Sequence, residues 1–216
     1  MTKIFSELTN KLIEAGVPQE ASKQVNGVSL EINHPINVLI NSDIDASQYS
    51  EILIDYAPKL SQPNEIEAVI RCMTQPSGFE DALPWLISLF EQYPDNGLGL
   101  GLLWVAGNAI AVINNKEYYQ EVISLCKKSE YGDSRQMLMG MLSKIRTDKA
   151  YQVLIDNLSD QSVKGQVIEA LGMFGRVDAL PILKSTSVET GKYEHKALKK
   201  ALHHLSKIQS SNQKAT

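Results

Sequence analysis

Cysteine is scarce in this sequence: Cys72 and Cys126 are its only cysteines, and they lie far apart in the chain. Two isolated cysteines provide neither the paired spacing of a zinc site nor a Cys-x-x-Cys redox motif. Both fall within apolar helical patterns, so we expect reduced thiols in the core. The first residues are amphipathic and soon acidic, without the apolar segment of a secretory signal peptide. These features predict a cytoplasmic location.

Long hydrophobic runs are also missing. No window approaches the roughly 20 consecutive apolar residues that a membrane-spanning helix requires. The longest apolar stretch, residues 98–113, is interrupted by three glycines and by Asn108. This pattern favours a buried helix and predicts that the protein has no membrane segment.

Recognisable catalytic motifs are absent as well. The four histidines, His34, His195, His203 and His204, form no metal-binding spacing, and the Gly-x-Ser-x-Gly signature of a nucleophile elbow does not occur. Carboxylates are plentiful in residues 43–95, but a solvated acidic surface explains them without an acid and base pair. The sequence therefore suggests no catalytic residues, no metal and no cofactor, and it favours a protein that is not an enzyme.

The composition is that of a folded globular protein. Among 216 residues, 43% are hydrophobic, 21% are charged and only 6% are aromatic, with leucine, isoleucine and alanine dominating the apolar set. This balance excludes wholesale disorder and suggests a helical fold of a single domain. The net charge of −4 hides an asymmetry, because residues 1–100 carry −9 and residues 101–216 carry +5. Uneven solvated charge along an elongated molecule is the simpler interpretation, and a polar partner is the other.

One apolar helical pattern recurs along the chain at intervals of roughly 30 residues. Aligned copies place equivalent apolar residues in one column: Met73, Ile110, Leu142, Leu171 and Leu202. Apolar residues also recur one and four positions before this column and three positions after it, which is one stripe of an α-helix. This stripe is predicted to be the buried side of each copy.

Another apolar helix precedes each copy, so that each copy is the second helix of a pair. These helices are predicted at 49–60, 81–93, 117–128, 149–158 and 178–184, with turn-forming residues between the members of each pair. About five helical hairpins of this kind predict an all-α fold, a right-handed α-solenoid.

The segment 167–183 shows the most complete copy of the repeat. It contains Ala170-Leu171-Gly172, a turn at Gly175 and then Leu180-Pro181-Ile182-Leu183, and residues 82–86 repeat its second half. This pattern resembles the short bacterial HEAT-like repeat, of the type also called PBS-lyase repeat, and the resemblance covers about residues 47–208. It implies a solenoid fold but no particular activity, because HEAT-like proteins include scaffolds, adaptors, chaperones, lyases and DNA-repair enzymes.

The two ends of the chain do not follow the repeat. Residues 1–46 are interpreted as an N-terminal cap that begins with an amphipathic helix over 2–15. Within 17–46, the alternation near Val28 indicates a strand, whereas the segment from Pro35 equally suits a short helix. Residues 209–216 are polar and are predicted to form a flexible tail.

Positions two and six before the aligned column fall opposite the buried stripe, and we call these ten residues the exposed ladder. It consists of Glu67, Arg71, Trp104, Asn108, Gln136, Gly140, Gly165, Glu169, Lys196 and Lys200. The resemblance implies that the second helices line the concave face of the solenoid, so the ladder should follow the groove. Trp104 is its one large aromatic residue, and both an exposed binding anchor and a core position remain open for it.

Arg135 is unusual because a cation in the first turn of a helix opposes the helix dipole. We expect a carboxylate of this chain, such as Asp133 or Glu169, to hold it, although an anionic ligand beside the Tyr131-Gly132 turn is the alternative.

The sequence thus favours a non-catalytic module that binds another protein or a peptide in the concave groove, as a scaffold, adaptor or immunity-type protein that is a monomer or weak dimer. The expected binding residues are Arg71, Trp104, Asn108, Tyr131, Arg135, Gln136, Glu169 and Lys200. The alternative is a DNA glycosylase of the HEAT-like class or another nucleic-acid-processing protein. Nucleic acid is disfavoured because Glu67, Glu169 and the acidic net charge would repel phosphate.

Overall fold

The computed structural model describes residues 1–93 and 101–214. Helices dominate, which confirms the predicted all-α class. The helices are α1 Lys3–Glu14, α2 Pro35–Asn41, α3 Ser50–Tyr56, α4 Pro63–Cys72, α5 Leu83–Gln92, α6 Leu102–Ile113, α7 Tyr119–Lys127, α8 Gln136–Ile145, α9 Asp148–Asp156, α10 Lys164–Phe174, α11 Ala179–Ser185 and α12 Tyr193–Lys214. One hairpin of two strands, β1 Glu20–Val25 and β2 Val28–Asn33, lies between α1 and α2 in the sequence.

Every helix of the five predicted pairs is present: α3 with α4, α5 with α6, α7 with α8, α9 with α10, and α11 with α12. The apolar helix predicted to begin at residue 98 is described from Leu102, and residues 94–100 fall outside the described part. The segment predicted as a flexible tail is helical as far as Lys214.

The chain divides into two compact units, Met1–Asn115 and Lys116–Thr216. Because residues 101–115 contain no charged side chain, the charge asymmetry follows this division: the first unit carries −9 and the second +5.

The first unit begins with an amphipathic helix. The Oγ1 atom of Thr2 accepts a hydrogen bond of 3.2 Å from the backbone N–H of Phe5, which caps the start of α1. Phe5, Leu8 and Leu12 are buried where α1 packs against α2 and α3. Further along, α4 packs against α2 and α6, and α6 also packs against α5.

The N-terminal hairpin was not fully predicted. Within 17–46, a strand near Val28 and a short helix from Pro35 were left as alternatives, and both are present, as β2 and α2. The first strand, β1, was not predicted. Asn26 and Gly27 form the two-residue turn with φ angles of 51° and 81°, and Val25 pairs with Val28. Asn-Gly is the strongest short signal for such a turn, so the sequence did contain the information. Ile32 is the one apolar strand residue that is buried.

His34 joins the hairpin to α2 with a positive φ of 88°. Its Nδ1 atom accepts a hydrogen bond of 3.3 Å from the Ile36 N–H, so the proton of the neutral ring is on Nε2, 3.4 Å from the Thr9 hydroxyl. The ring also stacks on Phe5 with the two centroids 5.6 Å apart. This arrangement requires a neutral imidazole, because a proton on Nδ1 would break the cap of α2.

We therefore expect the first unit to lose stability as the pH falls through about 6.5. Burial lowers the pKa of His34 below its ordinary value of 6.5, so the unfolded chain takes up the proton first and stability is lost from that pH downward. His34→Asn keeps a residue that tolerates positive φ and can cap α2. Urea unfolding between pH 7.5 and 5.5 should show a smaller pH dependence for His34→Asn, and an unchanged dependence would contradict the role of His34.

The helices of the second unit pack in pairs. The second helices α8, α10 and α12 pack side by side, α7 packs against α9, and each second helix contacts its own partner. The predicted buried stripe is confirmed on α8 and α10, with Leu142 and Leu171 fully buried at the aligned column. On α12, the last helix, Leu198 and Leu202 are only half-buried.

The contact between α10 and α12 is unusually close at Gly172. A Cβ atom built on Gly172 would lie 2.7 Å from the Ala201 Cβ and 2.8 Å from the Ala201 Cα. Only glycine allows this approach, because any side chain would meet the backbone of α12. The two helices consequently form a shallow groove with a floor of small residues.

Candidate binding groove on the second unit

The outer sides of α10 and α12 form a groove that we call the α10–α12 groove. It is a partly open depression with a volume of about 80 Å³. Its lining consists of Glu169, Gly172, Met173, Ala197, Lys200, Ala201 and His204. Small and apolar residues form the floor, whereas charged and polar side chains lie at the rim, which is the usual construction of a site for an apolar group with a polar flank.

Met173 is the principal apolar residue of this groove, and 50% of its surface is exposed. The large, well-exposed apolar residues in the described part of the chain are few: Met1, Val25, Val28, Leu30, Met173 and Tyr193. Two of them, Met173 and Tyr193, belong to α10 and α12. A flexible, polarisable methionine is suited to contact a partner side chain of variable shape.

The acidic residue at the rim is firmly held. Glu169 accepts a hydrogen bond of 2.6 Å from the Tyr193 hydroxyl and one of 3.1 Å from the Lys200 ammonium. The bond from Tyr193, and after it the bond from Lys200, lower the pKa of Glu169. Burial and the neighbouring carboxylate raise the pKa of Tyr193. Glu169 is therefore ionised at neutral pH, and Tyr193 keeps its proton.

The end of α10 is held by side chains of the neighbouring helices. The carbonyl oxygen of Gly172 accepts a hydrogen bond of 2.9 Å from His204 Nδ1, and that of Met173 accepts one of 3.3 Å from Arg146. The last carbonyls of a helix have no partner within the helix, and basic groups there also favour the helix dipole. These two bonds fix the backbone that carries Met173.

Three of the predicted binding residues lie on second helices of this unit with exposed surface. Glu169 and Lys200 are in direct contact at the groove, as described above. Gln136, on α8, is half-buried and donates a hydrogen bond of 2.9 Å to the carbonyl oxygen of Ser162. Gly165, which was expected in the exposed ladder, is instead buried, because the Tyr193 ring covers it.

Tyr131 and Arg135 were expected to bind a partner, and the structure corrects both expectations. Tyr131 is buried, and Arg135 has 0% exposed surface. Residues Ser129–Arg135 form a short 3-10 segment with a turn at Gly132, so Arg135 precedes the first residue of α8. The guanidinium therefore points into the protein instead of toward a ligand.

Arg135 is held entirely by acceptors of this chain. It donates to the carbonyl oxygen of Cys126 at 3.0 Å and to Asn157 Oδ1 at 2.8 Å, and it forms an ion pair with Asp160. An internal carboxylate was predicted, but Asp133 and Glu169 were the wrong candidates. Burial raises the pKa of Asp160, but hydrogen bonds from Ser162 and Arg135 outweigh that effect, so this pKa lies below its ordinary value of 3.8.

The other three predicted binding residues belong to the first unit. Arg71 is exposed and forms an ion pair of 2.6 Å with Glu67, one helical turn before it. Trp104 and Asn108, on α6, are both half-buried. Trp104 is thus neither a fully exposed anchor nor a core residue.

Cys72 and Cys126 are free and buried, as predicted, and burial raises the pKa of both thiols to about 12. Within residues 1–93 and 101–214, no three side chains of His, Cys, Asp or Glu converge on a potential metal position. None of the helices in those ranges has the length and apolarity to cross a membrane.

Sequence reasoning missed Met173, Tyr193 and His204. Met173 and His204 each lie four residues after a ladder position, Glu169 and Lys200, and residues four apart share one side of a helix. Extending the ladder by one turn would have found both. Tyr193 precedes the apolar pattern of α12, and only the packing of α10 against α12 shows its role.

No protein-family model, curated protein or solved structure matches this chain. The resemblance to HEAT-like repeats therefore stays a prediction, and the function has to be inferred from the groove itself.

Proposed function

We propose that this protein is a non-catalytic, protein-binding module whose partner inserts an apolar side chain into the α10–α12 groove beside Met173. The observation that carries this proposal is the half-exposed Met173 on a floor of small residues, in a unit whose other apolar helix positions are largely buried. A concave apolar floor flanked by a few polar groups is the usual form of a binding site.

The size of the groove suits one side chain. Burying a leucine- or methionine-sized side chain contributes roughly 1.5–3 kcal/mol. At protein interfaces, a few anchors of this kind, surrounded by polar contacts that exclude water, supply most of the binding energy. The groove thus accommodates an anchor but would need further contacts on its rim for stable binding.

The rim is ordered before any partner arrives. Tyr193 and Lys200 hold Glu169, while His204 and Arg146 hold the backbone around Met173. A partner would therefore lose little of its binding energy in ordering these side chains.

We also propose that the helix pairs continue as a right-handed, HEAT-like α-solenoid with a cap formed by residues 1–46. Support comes from the regular pairing of helices and from the buried stripe, which recurs at the same offsets on α6, α8 and α10. In such a fold the outer sides of α8, α10 and α12 belong to the concave surface.

The proposal is tested by placing a photo-reactive amino acid at position 173. The control position is Ser124, which is exposed on α7, the first helix of its pair. Irradiation in cell extract should give an adduct with a partner polypeptide from position 173 and not from position 124. The adduct only identifies a candidate, so the recombinant partner must then bind the purified chain. Equal adducts from the two positions would contradict the assignment of the groove.

Met173→Asp is expected to weaken binding of that partner by about tenfold or more, because it places a charge where an apolar side chain must be buried. The thermal midpoint should change little, since Met173 is half exposed on a helix surface. Calorimetric titration and circular dichroism measure the two quantities. Binding that is unchanged in folded Met173→Asp would overturn the proposed function.

A further inference from the structure

We propose that the partner segment is acidic, with aspartate or glutamate residues beside the apolar side chain that enters the groove. This inference rests on the proposed function and names the chemistry of the partner. It is drawn from the charges that surround the α10–α12 groove.

A basic stripe runs along α12 next to the groove, and we define it as Lys196, Lys200, His203 and Lys207. The spacing of four, three and four residues places these side chains on one side of the helix. At 1.5 Å per residue the stripe is about 16 Å long, which is the length of a short peptide segment. Lys200 belongs both to the stripe and to the groove lining, so the two features are continuous.

Most of this charge is not neutralised within the protein. Lys196 and Lys207 are exposed and form no ion pair with any described residue, and Lys200 alone contacts a carboxylate, that of Glu169. The one acidic residue of α12, Glu194, lies on another side of the helix, beside Gly165. Arg146, held at the Met173 carbonyl, adds a further cation at the end of α10.

The acidic partner also follows from the charge of the whole unit. The second unit carries a net charge of +5, so it attracts anionic groups, and a complementary charge speeds association and selects among partners. The unpaired Lys196 and Lys207 beside the groove would repel a basic segment, and a neutral segment would leave them without compensation.

A protein segment fits the site better than nucleic acid. Glu169 stands on the groove rim, ionised, where a continuous phosphate backbone would have to pass. A peptide can place its carboxylates opposite the lysines and leave Glu169 to its bonds with Tyr193 and Lys200. The groove also accepts an apolar side chain, which a phosphate backbone does not present.

The test uses short synthetic, fluorescently labelled peptides with a leucine flanked by glutamates. Matched controls replace the glutamates by lysines or by serines, or the leucine by alanine. Fluorescence anisotropy with the full chain should show binding of the acidic leucine peptide, binding weaker by about tenfold or more for the lysine and serine versions, and a loss of affinity with added salt.

Two variants on neighbouring residues of α12 separate the groove from general attraction. Lys200→Gln removes a charge that lines the groove and exposes the charge of Glu169, so we expect about fivefold weaker binding of the acidic peptide. Lys199→Gln removes the same charge one residue away, at an exposed position that does not line the groove. It should change the affinity by less than about twofold.

The outcomes distinguish this inference from the proposed function. If the serine or lysine peptides bind as tightly as the acidic one and Met173→Asp abolishes that binding, the inference of an acidic partner is wrong and the assignment of the groove as the binding site is retained. If Met173→Asp leaves binding of the acidic peptide unchanged, the assignment of the groove as the binding site is wrong. If no acidic peptide binds, or if a duplex DNA probe binds more tightly than the acidic peptide, the inference is overturned.

Discussion

Arg135→Leu should lower the free energy of unfolding by about 3 kcal/mol. The arginine side chain is fully buried, and it satisfies the carbonyl oxygen of Cys126 and the side chain of Asn157. Leucine fills part of the volume but leaves both acceptors without a donor. Asp160 contributes less to the loss, because its side chain is 28% exposed and can be hydrated when its partner is gone.

Arg176→Leu is the matched control, since Arg176 also lies in the second unit and pairs with the carboxylates of Asp148 and Asp178. Its side chain is 39% exposed, so water replaces the lost partners and a much smaller effect is expected. Chemical denaturation of the three proteins measures the difference. Equal effects of the two substitutions would show that the Arg135 network does not stabilise the unit beyond an ordinary surface ion pair.

Gly172→Ala should destabilise the protein by about 2 kcal/mol, whereas Gly140→Ala should stabilise it by roughly 0.5–1 kcal/mol. A methyl group on Gly172 would collide with the Cα and Cβ atoms of Ala201, so α10 and α12 would have to separate. A methyl group on Gly140 meets no atom within 4 Å, so there only the better helix propensity of alanine counts.

A second substitution tests the reason for the first effect. In the double variant Gly172→Ala with Ala201→Gly, the total loss of stability should be smaller than the sum of the losses in the two single variants, because one of the two colliding groups is removed. Urea unfolding of the five proteins, the single variant Ala201→Gly included, provides the comparison. Destabilisation by Gly140→Ala, or no loss from Gly172→Ala, would contradict the close approach of the two helices.

The separation of α10 and α12 also has a consequence for binding. Gly172 forms part of the groove floor, so Gly172→Ala both fills the groove and moves its walls. Gly140 does not line the groove, which makes Gly140→Ala a folded reference for binding measurements as well.

The helices could be predicted because their apolar residues repeat at the helical period in every copy. Leu142 and Leu171, for example, occupy equivalent positions and are both fully buried. The N-terminal hairpin was harder, because its strands are exposed and Ile32 alone of their apolar residues is buried. The alternation of apolar and polar residues is therefore weak there, and the Asn26-Gly27 turn was the usable signal.

The ion-pair partner of Arg135 could not be predicted from the sequence. The expected place of this arginine in the first turn of a helix, where a cation opposes the helix dipole, led to the prediction of an internal carboxylate, and the structure contains one. The partner, however, is Asp160, which lies 25 residues later in the loop between α9 and α10. Nearby carboxylates in the sequence were the natural candidates, and only the packing of α7 and α8 against α9 brings Asp160 into reach.

The residues of the α10–α12 groove were predicted in part. Glu169 and Lys200 were expected on an exposed surface of the second helices, and they meet at the groove. The groove itself depends on Gly172 approaching Ala201, a tertiary contact that helical periodicity does not reveal.

The central claim, that a partner side chain is buried beside Met173, is tested most directly by methyl NMR of ¹³C-labelled methionine. The chain has six methionines, and the resonance of Met173 can be assigned by its loss in Met173→Asp. Adding the acidic leucine peptide should shift the Met173 methyl signal in proportion to occupancy and leave that of Met139, which is fully buried, unchanged. Saturating peptide binding that leaves the Met173 signal in place would contradict the claim.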